Sequence, residues 1–131
     1  MKPLLLSIAL LIAVFSFCQT QTDMNIESYE TYNKADKELN YVYQKVLVKY
    51  QTDTAFIKNL RISQRNWIVY RDSELKMKYP EREQGYFGTM QPMCENDYLT
   101  ELTKERIRTL NLWLTGAKPE DDCSGSIKNN N

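Results

Sequence analysis

Two pairs of acidic residues have the side chains that glycoside hydrolysis would use. Glu81 and Glu83 lie in one irregular segment, and Asp121 and Asp122 lie together near the C-terminus. A pair of carboxyl groups cleaves a glycosidic bond efficiently when an apolar pocket keeps one of them protonated. Both pairs lie in polar, solvated segments, and the chain has no histidine to act as a general base. We therefore predict that the protein is not an enzyme and uses no cofactor.

The residue types also argue against a metal site and a nucleic-acid partner. The chain has three cysteines, no two of them close in sequence, and the absence of histidine removes the other usual zinc ligand. Its 17 basic and 17 acidic residues balance. A nucleic-acid-binding protein normally has a basic excess or a basic stripe. We predict neither a bound metal nor a nucleic-acid partner.

A further group of polar residues has the spacing of one helical face. Gln64, Trp67 and Arg71 occur at steps of three and four within LRISQRNWIVYRDSE, and Asp72 follows directly. Residues with this spacing lie on the same side of a helix. The stripe is either a binding surface or the polar edge of a helix core. We favour the second interpretation, in which Trp67 fills the core.

Gln64 and Arg71 then need hydrogen-bond partners, because polar groups at the edge of a core are rarely left unpaired. Asp36 and Asn40 lie one turn apart in an earlier helical segment and could supply acceptors. We therefore predict that these four residues form a polar contact between two helices.

Three helical segments position these residues and predict an all-α fold. The first has an amphipathic stripe made of Tyr32, Ala35, Leu39, Val42, Val46 and Tyr50. The second has a wider stripe made of Phe56, Leu60, Ser63, Trp67, Tyr70, Glu74 and Met77, with Ile57, Gln64, Ile68 and Leu75 beside it. The inner side of the third consists of Leu99, Leu102, Arg106, Leu110 and Trp113. Stripes of this kind predict a small antiparallel three-helix bundle.

Local signals place the ends of these helices. Thr52 or Asp53 is a suitable N-cap for the second helix. Pro80 should end that helix, because proline disfavours helical geometry in the residue before it. The third helix is predicted to begin around Cys94 and to stop at Gly116.

A long loop and a polar tail complete the predicted domain, whose core spans about residues 24–115. The segment PEREQGYFGTMQP contains two glycines and two prolines, so it predicts a structured surface loop between the second and third helices. Residues 116–131 are polar, and we predict a mobile tail apart from Cys123.

The N-terminus has the layout of a secretory signal peptide, predicted to span residues 1–18. Lys2 is followed by an apolar run shorter than the roughly 20 residues that cross a bilayer. Cleavage after Cys18 would leave one domain, residues 19–131, without a transmembrane segment. A lipid anchor on Cys18 is the alternative, although Phe17 is large where lipoprotein signals have a small residue. We expect a periplasmic or secreted protein.

Cys94 and Cys123 remain after that cleavage. An even number of cysteines in an oxidising compartment predicts one disulfide, and two free thiols are the alternative. The bond requires the tail to run back along the third helix. The chain from Thr115 to Cys123 is just long enough when it is fully extended.

Three segments of the chain match the pattern of a known family. They are ADKELNYVYQKVL, LRISQRNWIVYRDSE and CENDYLTELTKERIRTL, which lie in this order between residues 29 and 113. With these segments the chain resembles the LprI-like lysozyme-inhibitor family of small exported helical domains. The positions of the family signature are Asp36, Leu39, Asn40, Tyr43, Gln64, Trp67, Arg71, Asp72, Cys94, Thr103 and Arg106. The resemblance implies that these are framework positions.

One position departs from the family pattern. Members usually have a cysteine just after the Arg-Asp pair, where this chain has Leu75. Cys94 therefore lacks the partner that the resemblance implies, and Cys123 is the available substitute.

The resemblance also implies a function. It predicts an exported domain that binds and inhibits lysozyme-type muramidases by blocking the active cleft. Glu81, Glu83, Tyr86 and Phe87 in the long loop are the predicted binding residues, with the two aromatic rings as anchors. The alternative is a structural or protein-interaction module of the cell envelope, which would bind another exported protein and would not contact lysozyme.

Overall fold

The part of the chain that the structure describes folds into three α-helices. The computed structural model describes the backbone of residues 2–118 and 120–129, and the side chains of residues 20–118 and 120–129. Its helices are α1 (Lys2–Lys49), α2 (Thr54–Lys78) and α3 (Gln91–Thr115). The predicted all-α class is confirmed. The predicted signal peptide, with Cys18, falls on residues whose side chains lie outside the described set.

The helices pack as the antiparallel bundle that the apolar stripes predict. The core consists of Leu39, Val42, Val46 and Tyr50 from α1, Leu60 from α2, and Ile107 and Leu110 from α3. Contacts between α1 and α3 join Ser28 to Asn96 near one end and Tyr50 to Trp113 near the other. These two helices are therefore parallel to each other, and α2 runs antiparallel to both. Most of the packing of α3 is against α1.

Capping residues define the helix ends as expected, with one exception. The Asp53 side chain accepts a hydrogen bond from the Phe56 backbone N–H at 2.9 Å, which caps the start of α2. At the end of α3, Gly116 has a φ of 84° and its N–H donates to the Leu112 carbonyl. The exception is the start of α3, which lies at Gln91 rather than around Cys94. Proline is well tolerated in the first turn of a helix, so the proline at position 92 does not delay it.

The wide apolar stripe predicted for α2 is only partly buried. Leu60 and Gln64 are buried, and Trp67 is half-buried. Tyr70 and Met77, which were expected on the inner side, are 51% and 68% exposed. The physical reason is that α2 packs through one narrow face, whereas its apolar residues occur around most of its circumference.

The tail forms contacts with the bundle that its composition did not predict, and its described residues do not run back along α3. Ala117 forms an isolated bridge with Asn129, and the Lys128 backbone N–H donates to the Tyr50 hydroxyl at 2.9 Å. These contacts hold the tail at the end of the bundle opposite Cys94. In the described part of the chain Cys94 and Cys123 are both free, so the predicted disulfide between them is not present.

No helix in the described residues has both the length and the apolar composition needed to cross a membrane.

Candidate functional site

The four residues predicted to bind a partner lie in the loop of residues 79–90, between α2 and α3. Three backbone hydrogen bonds form successive turns, from Tyr86 to Glu83, from Gly88 to Gly85 and from Gln91 to Gly88. Gly85 and Gly88 have φ values of 84° and 77°, a region in which residues with a Cβ are strained. The loop therefore has a defined shape that depends on both glycines.

Three aromatic rings cluster in this loop. The Tyr86 and Phe87 rings meet edge to face with centroids 4.9 Å apart, and Phe87 meets Tyr79 in the same way at 5.4 Å. Edge-to-face contacts of this kind stabilise an aromatic cluster beyond simple area burial. Phe87 is half-buried, whereas Tyr86 is 61% exposed. The Tyr86 ring is thus exposed to solvent, and the Phe87 and Tyr79 rings form the base of the cluster.

The loop also carries three charged residues, and one of them lies next to this exposed ring. The Arg82 guanidinium lies 5.8 Å from the centre of the Tyr86 ring, and Arg82 also donates to the Glu81 carbonyl at 3.2 Å. Glu81 and Glu83 are exposed, and within the described side chains neither carboxylate forms a salt bridge. The two carboxylates are therefore available to pair with cations of another molecule.

The base of the loop packs against the start of α3. Burial raises the pKa of the Tyr79 hydroxyl, and the neighbouring Cys94 raises it further. The Lys78 ammonium lies 3.9 Å from the centre of the Tyr98 ring, and the Tyr98 hydroxyl donates to Glu74 at 3.1 Å. These contacts join the last turn of α2 to the first turns of α3, so the two ends of the loop are fixed relative to each other.

The predicted polar contact between α1 and α2 is present for Arg71. Its guanidinium lies 3.7 Å from the Asp36 carboxylate and 2.8 Å from that of Asp72, and it lies 5.4 Å from the centre of the Trp67 ring. Asn40 reaches the same site through Asp36, to which its amide donates at 3.3 Å. The contact therefore joins α1 to α2 through one shared cation.

Gln64 has a different partner from the one predicted. Its Oε1 accepts a hydrogen bond from the Nε–H of Arg106 on α3 at 3.0 Å, and Arg106 also donates to the Ser63 hydroxyl at 3.0 Å. The polar stripe of α2 thus contacts both other helices, with Arg71 facing α1 and Gln64 facing α3. The assignment of Gln64 to α1 was wrong because its spacing fixes a face of α2 but does not identify the helix that covers it.

The remaining signature positions are in or near the core. Leu39 is buried, and Tyr43 packs against the core cluster. Thr103 is completely buried, and its hydroxyl has no hydrogen-bond partner within the described structure. Cys94 is half-buried under the loop. No group of histidine, cysteine or acidic residues among the described residues could hold a metal ion.

A groove between α2 and α3 is a feature that the sequence did not predict. It has a volume of about 440 Å³ and is lined by Phe56, Asn59, Leu60, Ser63, Leu110, Trp113 and Arg106, together with Asp53, Ala55 and Ser126. Burial lowers the pKa of Arg106, which is half-buried in the lining. The one sequence signal for this site was an arginine on an otherwise apolar inner side of the third helix.

Comparison with known proteins identifies one family. Residues 17–110 match the family described as "Lysozyme inhibitor LprI". An uncharacterized protein of Rhizobium meliloti is 32% identical over 110 residues, which cover 76% of this chain and 77% of the relative. No solved structure is significantly similar to this chain.

Proposed function

We propose that this chain, which belongs to the LprI family of lysozyme inhibitors, is an exported domain that inhibits a lysozyme-type muramidase. The loop of residues 79–90 would enter the active cleft and block it. The observation that carries this proposal is the exposed Tyr86 ring, which is supported edge to face by Phe87.

The geometry of the loop suits an inhibitor that inserts into a cleft. Interface energy is concentrated in a few aromatic and arginine side chains, and a preorganised loop loses less conformational entropy when it binds. The turns at Gly85 and Gly88 and the contact between Tyr79 and Phe87 fix the position of Tyr86 before any partner arrives. Tyr86 would therefore be the central anchor, and Phe87 would mainly hold it in place.

Electrostatics would act locally rather than at long range. The formal net charge of the chain is zero, so attraction to a basic enzyme from a distance is weak. Glu81 and Glu83 nevertheless provide two exposed carboxylates in the same loop as the anchor. They would pair with basic side chains at the rim of the cleft and would contribute to specificity more than to the strength of binding.

The test is lysozyme-catalysed lysis of a cell-wall suspension, with increasing concentrations of the purified protein. Tyr86→Ala should weaken inhibition at least tenfold, the range expected for an interface anchor. Phe87→Ala should also weaken inhibition, because it removes the ring that holds Tyr86 in place. Tyr41→Ala is a matched control, because Tyr41 is 60% exposed on α1 and Tyr86 is 61% exposed. Circular dichroism would check that all three variants keep the helical fold.

The outcomes show whether inhibition depends on the loop or on another surface of the domain. If the natural chain inhibits but the loop variants inhibit equally well, another surface makes the contact. If Tyr41→Ala is the variant that loses inhibition, that surface lies on α1. If the natural chain has no effect on any lysozyme type, inhibition is not its function.

A second candidate function has a specific observation in its favour. The outer face of α2 carries large apolar side chains that are exposed in this chain: Ile62, Val69, Tyr70 and Met77. Exposed apolar patches are typical of protein-interaction surfaces. A structural or protein-interaction module of the cell envelope would use such a face without contacting lysozyme. Retention of an envelope protein by the natural chain but not by Val69→Lys, with no effect on lysis, would favour this function.

A further inference from the structure

The groove between α2 and α3 contains a cation that has no acidic partner in the described residues. Arg106 donates to two neutral oxygens, those of Gln64 and Ser63, and none of the described carboxylates lies within salt-bridge distance of it. A guanidinium has five N–H donors, so further donors remain available beyond these two hydrogen bonds. Hydrogen bonds from a guanidinium to an anion are charge-assisted and roughly twice as strong as those between neutral groups, so an anion would be a better partner than the two neutral oxygens.

The rest of the groove is largely apolar. Phe56 and Leu60 of α2 form one wall, and Leu110 and Trp113 of α3 form the other. From Ala55 to Ser63 the lining extends over nine residues of α2, which are eight steps of 1.5 Å or about 12 Å. The groove therefore combines a positive end with an apolar floor long enough for a medium-length aliphatic chain.

We propose that this groove binds a small amphipathic carboxylate of the medium-chain fatty-acid type. The carboxylate would accept hydrogen bonds from Arg106 and from the Ser63 hydroxyl, and the aliphatic chain would lie on Phe56, Leu60 and Trp113. The volume of about 440 Å³ is within the range of small-molecule sites, which begins at roughly 300 Å³. The single cation matches the single charge of such a ligand.

The far end of the groove favours the same orientation. Asp53 lies there, about 15 Å from Ser63 along α2, and its carboxylate already caps the helix by accepting from the Phe56 N–H. A second anionic group at that end would meet a like charge. The site therefore selects a ligand with one charged end and one neutral end, rather than a dianion.

This site is separate from the loop that the proposed function uses. Arg106 lies twelve residues after Cys94 on α3, about 18 Å from the base of the loop. The groove is also concave, whereas an inhibitor needs a convex element to enter a cleft. Ligand binding here can therefore be measured independently of any effect on lysozyme.

The experiment is calorimetric titration of the whole protein with octanoate, 1-octanol and octylamine, which share a chain and differ in charge. We expect octanoate to bind at least tenfold more tightly than octanol, and octylamine not to bind. The indole N–H of Trp113, which donates to Ser126 at 3.0 Å, would report the position of the ligand in an NMR spectrum. Its resonance should shift with octanoate.

Two variants test whether a loss of binding comes from a change in the groove or from a weakened fold. Arg106→Gln should reduce octanoate affinity to that of octanol, but it also removes the link to Gln64 and could weaken the fold. Asn59→Trp avoids that problem, because it adds bulk at an exposed groove position and leaves Arg106 intact. It should abolish binding. Asn66→Trp is the matched control, since Asn66 is exposed on the same helix but is not part of the lining, and it should bind octanoate normally.

Several results would overturn the proposal. Equal affinity for octanoate and octanol would mean that Arg106 does not recognise an anion. Unchanged octanoate binding in Asn59→Trp would place the ligand elsewhere, as would a Trp113 resonance that does not move. If a short peptide that ends in leucine bound more tightly than octanoate, the ligand would be a peptide C-terminus rather than a fatty acid.

Discussion

Arg106 of α3 donates its Nε–H to the Oε1 of Gln64 on α2 at 3.0 Å, and the Gln64 side chain is buried. Replacing Gln64 with alanine leaves the half-buried guanidinium without this acceptor. We expect Gln64→Ala to lower the free energy of unfolding by about 1–3 kcal/mol, the range for a buried hydrogen bond to a charged group. Urea denaturation followed by circular dichroism measures the change.

The control for this prediction is Gln44→Ala. Gln44 is exposed on α1, so the same substitution should change the free energy of unfolding by no more than about 0.5 kcal/mol. Equal effects at positions 44 and 64 would contradict the assigned role of the Arg106 contact.

The Tyr50 hydroxyl should contribute to stability through the tail. It accepts from the Lys128 N–H at 2.9 Å and donates to the Trp113 carbonyl at 3.3 Å, and the residue is fully buried. Tyr50→Phe keeps the ring but removes both bonds, so we expect a loss of about 1–2 kcal/mol. Amide hydrogen exchange at Lys128 should also become faster, whereas Tyr41→Phe should leave it unchanged. Slow exchange at Lys128 in Tyr50→Phe would show that other contacts hold the tail.

Oxidation should cross-link two chains rather than close a disulfide within one. Cys94 lies in the first turn of α3 and Cys123 lies in the tail that follows its last turn. The helix from Cys94 to Thr115 spans about 32 Å, whereas the Cα atoms of a disulfide lie within about 7 Å. Cys123 is exposed and Cys94 is half-buried. We therefore expect mild oxidation to give a covalent dimer that Cys123→Ser abolishes and Cys94→Ser does not. Non-reducing electrophoresis measures this, and an oxidised monomer without free thiols would contradict it.

Stability should fall at alkaline pH, in part because of Tyr32. Burial raises the pKa of its hydroxyl above the ordinary value of about 10, and the Arg71 guanidinium offsets part of that shift. The folded state therefore retains the Tyr32 proton at a pH where the unfolded state loses it. The resulting stabilisation is complete below pH 10 and is lost as the pH rises through the folded pKa.

Tyr32→Phe tests this point. The variant should lose less stability than the natural chain between pH 9 and pH 11, as measured by urea denaturation at each pH. The comparison at pH 7 is the control, because the hydroxyl is neutral there in both states. Parallel curves for the two chains from pH 9 to pH 11 would rule out a contribution from Tyr32.

The sequence allowed α1 to be predicted more accurately than α2, and the reason is physical. The apolar residues of α1 form one stripe, so they could be assigned to the core from their spacing alone. Of the six, Tyr32 is half-buried and the others are buried: Ala35, Leu39, Val42, Val46 and Tyr50. On α2 the apolar residues occupy several faces. Spacing could not determine which face would be covered, and Tyr70 and Met77 were therefore placed inside although they are exposed.

Contacts between distant parts of the chain were the least predictable. The tail is held by bonds such as that from Lys128 to Tyr50, which are 78 residues apart, and no local pattern encodes such a pair. The groove likewise depends on how far α2 and α3 separate around Arg106. The candidate loop, in contrast, could be placed from its glycines and prolines because their effect on the backbone is local.

The uneven packing of α2 has a consequence for the motions of the domain. Its buried residues are Leu60 and Gln64, whereas α3 buries five residues and packs mainly against α1. An element with few buried contacts opens at a lower free energy than the rest of the structure. The backbone amides of α2 should therefore exchange with solvent faster than those of α1 and α3, although the contacts of Arg71 with Asp36 and of Tyr98 with Glu74 keep its C-terminal half and the loop in place.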